Sequence, residues 1–186
     1  MYLISAYFDK NTNRILNRYI EMIAKESGNC FMVEHHVPPH MTISQIEARN
    51  TDVLMPSMEL LKTRLYKGNI EICSVGMLLP YVLYAMPVLN QYLQDSINIV
   101  HDAFCDIPET NIYKYYKPMS WFPHITLGKT LTKEQMQCAV RVMQEHFVPL
   151  TATVTEIGLA KVNPHEDVMR FSLFDTTQTE IYFDDK

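Results

Sequence analysis

The chain has 186 residues, 47% of them apolar and 20% charged, so it can bury one substantial core and has an ordinary globular composition. Its formal net charge of −5 argues against extended, nonspecific contact with a nucleic-acid backbone, which needs many lysines and arginines. No apolar stretch is long enough for a membrane span, and the first residues lack the basic start of a signal peptide. We therefore expect a cytoplasmic protein without a membrane partner, and we expect it to be a monomer.

The first half of the chain has the apolar spacing of alternating strands and helices. Gly28 stands where a helix C-cap would lie, and Pro56 stands near the first turn of a second helix. The predicted elements are, in order, a strand over 2–8, a helix over 11–27, a strand over 40–48, a helix over 56–65 and a strand over 69–76.

The second half repeats this order. Pro87 predicts the start of a helix, and Thr132 with Gln135 forms the capping-box pattern of another. The predicted elements are a strand over 81–86, a helix from Pro87, a strand over 121–129, a helix after Thr132, and closing strands over 151–162 and 168–174. The chain, 1–186, is therefore predicted to be a single domain of two lobes, about 1–78 and 79–186, related by pseudo-two-fold symmetry.

Two matching motifs lie one in each half. Residues 39–44 read Pro-His-Met-Thr-Ile-Ser, and residues 123–128 read Pro-His-Ile-Thr-Leu-Gly. Residues i and i+2 of a strand share a face, so His40 is expected beside Thr42, and His124 beside Thr126. The apolar residues between them would point into the core, and a pseudo-two-fold axis would bring both motifs to one cleft.

These side chains suit the chemistry of a phosphodiester. One imidazole can act as general base and the other as general acid, because histidine titrates near neutral pH. The hydroxyls of Thr42 and Thr126 can donate hydrogen bonds to the non-bridging phosphate oxygens. This chemistry needs no metal and no other cofactor. The residues do not fix which histidine is the base; our working assignment is His124 as base for water and His40 as acid for the leaving oxygen.

The doubled motif resembles the two-histidine (2H) phosphoesterase superfamily, and within it the bacterial 2′-5′ RNA ligase and RNA 2′,3′-cyclic phosphodiesterase branch. The resemblance implies an α+β, bilobal, duplicated fold in which two antiparallel sheets line a central cleft and helices lie outside. It also implies hydrolysis of a 2′,3′-cyclic phosphate of RNA, or of a small cyclic or 2′-linked nucleotide, to a 2′-phosphate. Reversible 2′-5′ RNA ligation is chemically accessible through the same kind of transition state. The catalytic residues would be His40, Thr42, His124 and Thr126.

The substrate would then be a small nucleotide or an RNA terminus. The resemblance places a basic residue after the second motif, where Lys129 stands, whereas Gln45 stands at the corresponding place in the first. Lys129 would bind phosphate, although strand parity alone points it away from the His124 face. Tyr7 and Phe122 are candidates to stack on a base or ribose. A rim of three more aromatic residues is predicted nearby: Tyr113, Tyr115 and Tyr116.

Two other interpretations stay open. The chain could be a binding module that holds a nucleotide or RNA end without turnover, although the presence of both motif histidines favours an enzyme. His35, His36 and His40 have a spacing that could serve a metal-dependent hydrolase, but no second cluster supplies a carboxylate. The cysteines match no zinc or redox motif and are predicted to be buried, reduced thiols: Cys30, Cys73, Cys105 and Cys138.

Overall fold

The computed structural model describes residues 1–162 and 166–175. The helices are α1 (Lys10–Ser27), α2 (Phe31–Glu34), α3 (Met55–Arg64), α4 (Gln91–Phe104) and α5 (Lys133–His146), with a 3₁₀ turn at Lys114–Tyr116. The strands are β1 (Tyr2–Phe8), β2 (Met41–Glu47), β3 (Gly68–Leu78), β4 (Val82–Pro87), β5 (Asn111–Ile112), β6 (Ile125–Gly128), β7 (Leu150–Lys161) and β8 (Glu166–Ser172).

Hydrogen bonding joins the strands into one sheet with the order β1-β2-β6-β4-β3-β7-β8, and β5 adds to β2. Strand β7 also pairs with β1, so six of the strands close a circuit. All pairs between the named strands are antiparallel. The predicted α+β class with antiparallel strands is therefore confirmed, and the two predicted sheets prove to be connected.

The strand order repeats within this circuit. If β1, β2 and β3 are matched to β4, β6 and β7, the neighbouring strands β2-β1-β7 correspond one by one to the neighbouring strands β6-β4-β3. Each group thus takes two strands from one half and its third strand from the other. This is the pairing that a duplicated unit would give, and the lobe boundary near residue 79 stays a prediction. It falls in the hairpin between β3 and β4.

The long helices begin and end at the residues that cap them. The Asp9 carboxylate accepts hydrogen bonds from the backbone N–H groups of Asn11 and Thr12 at 2.8 and 3.0 Å, and Gly28 ends α1 with φ 71°. The predicted capping box of α5 is present, with Thr132 and Gln135 bonded reciprocally.

Two predicted boundaries were wrong. Pro87 ends β4 rather than opening α4, which starts after Asn90 because the Asn90 side chain accepts the N–H of Leu93 at 3.0 Å. The second motif strand covers only Ile125–Gly128 rather than 121–129, because the chain before it forms a loop containing Pro123, which has no N–H for a strand ladder.

The cysteine prediction was half right. All four are free thiols, but three are exposed and Cys138 is half-buried, because each lies on an outward-facing position or a helix end. Among the described residues, no helix is long and apolar enough to cross a membrane.

Candidate active site

The two motifs meet at a single pair of residues. Met41 of β2 and Ile125 of β6, the middle residues of the two His-x-Thr sequences, are direct antiparallel partners. Continuing this register by one residue places His40 opposite Thr126 and Thr42 opposite His124. Since direct partners share a face, all four side chains lie on one face, and the two histidines are diagonal neighbours about 7–8 Å apart between Cα atoms.

The opposite face belongs to the core. Met41 and Ile125 are fully buried, whereas His40, His124 and Thr126 are partly exposed and Thr42 is 9% exposed. An antiparallel pair of equivalent residues has a local two-fold axis between its strands. A phosphate on that axis would meet one imidazole and one hydroxyl from each motif.

Strand β2 carries a β-bulge directly after its threonine. Ser44 is opposite Ile4, whereas Thr42 is opposite Ser5, so Ile43 is an extra residue in the ladder. A bulge of this kind reverses the alternation of side chains beyond it.

Strand β6 carries a bulge at the corresponding position. Gly128 is opposite Leu83 and Thr126 is opposite Tyr84, so Leu127 is the extra residue. The two motifs therefore share a backbone irregularity as well as a sequence pattern.

The bulges re-aim the residues that follow each motif. Ser44 and Gly128 are buried, which simple alternation from the histidines would not give. Gln45 is consequently turned to the face of the site, where it lines the same groove as His124. Strand parity does not extend to Lys129, because a bulge interrupts the alternation of β6 and the strand ends at Gly128.

Both histidines are oriented by the same local hydrogen bond. The Nδ1 atom of His40 lies 2.8 Å from the carbonyl oxygen of Pro38, and Nδ1 of His124 lies 3.0 Å from that of Phe122. A carbonyl oxygen only accepts, so Nδ1–H is the donor in each ring. In the neutral form the lone pair is then on Nε2, the position from which either ring can take up or release a proton.

A tyrosine from a neighbouring strand borders each histidine. The Tyr7 ring lies 6.2 Å from that of His40, and the Tyr84 ring lies 5.7 Å from that of His124. Each tyrosine depends on a glycine: a Cβ at Gly76 would overlap the Tyr84 ring, and a Cβ at Gly158 would lie 2.9 Å from the Tyr7 ring. Tyr84 was not among the predicted site residues, although a tyrosine in the first strand of each half was the available signal.

Tyr7 is a wall of the site rather than an open surface. It is 4% exposed, and the guanidinium carbon of Arg170 lies 3.7 Å from its ring centroid, so one face is covered. The prediction that Tyr7 stacks on a base therefore finds no support, because no open ring face is offered. Burial raises the pKa of Tyr7, an effect that Arg170 partly offsets, so the phenol stays protonated at neutral pH.

Trp121 ties the two motifs together. Its buried indole Nε1–H donates to the carbonyl oxygen of Thr42 at 3.0 Å, across the interface between the motif strands. This contact holds the entrance of the second motif against the first. No sequence pattern predicts this contact, and Trp121 was instead expected in a strand.

A groove of about 390 Å³ opens beside His124. Phe122, which is 44% exposed and stacks on His124 with ring centroids 6.2 Å apart, forms part of its wall. The three tyrosines of the predicted rim also line the groove. The remaining lining residues are Gln45, Leu78 and Ser120. A second cavity of about 400 Å³ lies between α1 and the start of β7 and contains no motif residue.

Lys129 lies on the other side of the site. Its ammonium is 5.7 Å from the ring centroid of Phe31, on α2, and that ring stacks on His35 at 4.2 Å. Its predicted contact with phosphate stays a prediction. Nδ1 of His35 bonds the Phe31 carbonyl oxygen, so that imidazole is engaged locally. No three His, Cys, Asp or Glu side chains among the described residues are arranged to hold a metal.

The sequence matches no family model and no curated protein. Several solved structures are similar to this chain over nearly their whole length, including the following three. A structure described as a phosphoesterase has a TM-score of 0.56 at 13% identity, covering 94% of this chain and 98% of its own. A Thermus thermophilus protein has a TM-score of 0.58 at 16% identity, with the same coverage. Escherichia coli LigT in complex with 3′-AMP has a TM-score of 0.56 at 14% identity, covering 92% and 97%.

At these identities the likeness shows the fold alone. The chain shares the fold of these neighbours, one of which is described as a phosphoesterase, and this is the fold that the resemblance of its doubled motif implied. What the chain does is a separate question, which the geometry of its own residues must answer.

Proposed function

We propose that this protein is a metal-independent phosphodiesterase that hydrolyses a 2′,3′-cyclic phosphate of an RNA end, or a small cyclic or 2′-linked nucleotide. The observation that carries the proposal is the Met41–Ile125 pair, because it places two oriented imidazoles and two hydroxyls on one face. A single motif could not both activate an attacking oxygen and protonate a leaving one. Two motifs related by a local two-fold axis can do so from opposite sides of one phosphate.

The reaction then follows from the positions of the side chains. Nε2 of one histidine takes the proton of an attacking water, while the other protonated imidazole donates a proton to the departing ester oxygen. In our working assignment His124 is the base and His40 the acid. Thr42 and Thr126 donate to the non-bridging oxygens as charge develops on them. For a cyclic phosphate, loss of the protonated 3′-oxygen leaves a 2′-phosphate. With a 5′-hydroxyl in place of water as the attacking group, the same proton transfers would form a 2′-5′ linkage.

Two further observations support a nucleotide substrate. The groove beside His124 is lined by aromatic side chains, which suit a base. LigT, which shares the fold, has been crystallised with 3′-AMP. A protein that only bound such a ligand would have no need for two imidazoles oriented alike on either side of it.

The test is a turnover screen with and without EDTA. The substrates are 2′,3′-cyclic nucleotides, RNA ending in a 2′,3′-cyclic phosphate, 2′-5′ oligoadenylates and cyclic dinucleotides. We expect turnover of at least one class, unaffected by chelator and abolished in His124→Ala. Turnover that EDTA removes would contradict the two-histidine mechanism. Tight binding of a nucleotide without turnover of any class would identify a binding module instead.

A further inference from the structure

Within residues 1–162 and 166–175, the side chains described around His124 differ from those described around His40. At the position two residues before the histidine, the second motif has Phe122, which is exposed and stacks on the imidazole, whereas the first has Pro38. Tyr84 meets Phe122 edge to face with centroids 5.5 Å apart. The matching tyrosine on the other side is covered by a guanidinium. The two ends of a substrate therefore meet different surroundings.

The outer wall of the groove is a cluster of tyrosines. The rings of Tyr113 and Tyr115 lie edge to face at 5.4 Å, and Tyr113 and Tyr116 lie 6.4 Å apart. The ammonium of Lys114 is 4.8 Å from the Tyr115 ring centroid. Tyr113 and Tyr115 are 45% and 56% exposed, so their rings are open to a ligand. Flat faces with one cation beside them are the surroundings that bind nucleobases without strict sequence preference.

A few polar groups stand within these apolar walls. Gln45 reaches the groove because of the bulge in β2, and Ser120 lines it from the loop before the second motif. An amide and a hydroxyl can bond the edge of a base, which is the pattern of small-molecule sites: apolar walls with few placed polar groups. The backbone also fixes the tyrosine loop to β2, since the N–H of Tyr113 donates to the Gln45 carbonyl oxygen at 2.9 Å.

From these observations we propose that the groove binds the base of the nucleotide whose phosphate lies between His40 and His124. This proposal rests on the proposed function for the position of the phosphate. Its direction is specific: the base lies on the His124 side, between Phe122 and the tyrosine loop, and the remainder of the substrate extends toward His40 and Lys129. Base–aromatic stacking accounts for the affinity of this end of the ligand.

The experiment measures binding, so that it does not depend on turnover. Isothermal titration compares 3′-AMP with ribose 5-phosphate, which carries phosphate and sugar but no base, on wild type, Tyr115→Ala and Tyr115→Phe. Tyr81→Ala is the matched control, because Tyr81 is 60% exposed on the adjacent hairpin but does not line the groove. Circular dichroism checks that each variant is folded.

We expect Tyr115→Ala to weaken binding of 3′-AMP by roughly 5- to 150-fold, the range for losing one stacked aromatic, and to leave binding of ribose 5-phosphate unchanged. Tyr115→Phe and Tyr81→Ala should bind as wild type does. Unchanged affinity of Tyr115→Ala for 3′-AMP, or an equal loss for both ligands, would overturn the base site. Base-dependent binding in a protein without turnover would keep the groove and refute only the enzyme.

Discussion

His40 and His124 occupy equivalent positions, but their surroundings differ. Each ring is oriented by the carbonyl oxygen two residues earlier, each is bordered by a buried tyrosine, and each is followed by a threonine and then a β-bulge. Beyond this common frame, His124 has Phe122 and the tyrosine groove, whereas the tyrosine beside His40 lies under Arg170.

The side chains that the two motifs share would perform the reaction, and those that differ would bind the substrate. The residues that would act on the phosphate are set by strand register, which is the same in both motifs. The residues that would choose the substrate come from loops and from the positions after the bulges, Gln45 and Lys129, which are not the same. The non-bridging oxygens of a phosphate are nearly equivalent, whereas the two groups esterified to it are unlike. Correspondingly, the two motifs offer equivalent side chains to the phosphate and different surroundings to the two esterified groups.

The largest expected effect on the rate comes from replacing either histidine, and it should also show which of the two is the acid and which the base. Loss of general acid or base assistance costs about 10²–10⁴-fold in rate, so His40→Ala and His124→Ala should each nearly abolish turnover while staying folded. With a substrate whose leaving group is highly acidic, departure needs no proton. The acid variant, His40→Ala in our assignment, should then recover much of its rate and the base variant should not.

Steady-state kinetics on both substrates, with His146→Ala on the surface of α5 as control, measures this difference. The wild-type kcat/KM should be bell-shaped in pH, because one imidazole must be neutral and the other protonated. Equal rescue of both variants, or a flat profile between about pH 5 and 9, would remove the acid–base pair.

The threonines test whether the two motifs hold the phosphate equally. Thr42→Val and Thr126→Val keep side-chain shape and remove the hydroxyl, and we expect each to lower kcat by about one to three decades, by analogy with oxyanion donors. Thr151→Val is the control, since that strand hydroxyl bonds Glu71 far from the motifs. Single-turnover rates as fast as wild type in both variants would reduce these threonines to strand formers.

Much of this frame follows from the sequence. Alternation in a strand predicts that His40 and Thr42 share a face and that Met41 faces the core, because one apolar side must be buried. The bulges could not be predicted, since an extra residue is defined only against its partner, β1 or β4. The position of Gln45 in the groove depends on the bulge in β2, and simple parity cannot be carried past the bulge in β6 to Lys129. The bond from Trp121 joins residues far apart in sequence, and no local pattern encodes it.

A smaller effect is expected at Lys129, the residue that corresponds in the second motif to Gln45 in the first. Lys129→Gln makes this position like Gln45 and removes a cation from the His40 end of the substrate. For an oligonucleotide substrate with further phosphates, we expect KM to rise up to about five-fold, the range for an exposed ion pair, and the rise to shrink with added salt. A mononucleotide should show a smaller change.

Lys133→Gln, at the start of α5, controls for general charge. If Lys129→Gln instead lowered kcat by orders of magnitude with KM unchanged, the lysine would act on the transition state rather than on distant phosphates. If neither kcat nor KM changed, Lys129 would have no part in substrate binding or catalysis, and its role would be limited to its contact with the Phe31 ring.

The smallest effect concerns Ser44, which the bulge turns into the core. Its hydroxyl is buried and has no hydrogen-bond partner within residues 1–162 and 166–175, whereas the equivalent position in the second motif is Gly128. An unsatisfied buried polar group costs about 1–3 kcal/mol, so Ser44→Ala should leave the free energy of unfolding unchanged or raise it by up to about 1 kcal/mol. Chemical denaturation measures this, with Ser57→Ala as the contrast, because Ser57 donates to the Ala103 carbonyl oxygen at 2.6 Å and its loss should destabilise. Turnover of Ser44→Ala should equal wild type. A slower enzyme would mean that this hydroxyl faces the phosphate, and that the alternation of β2 is not reversed after Thr42.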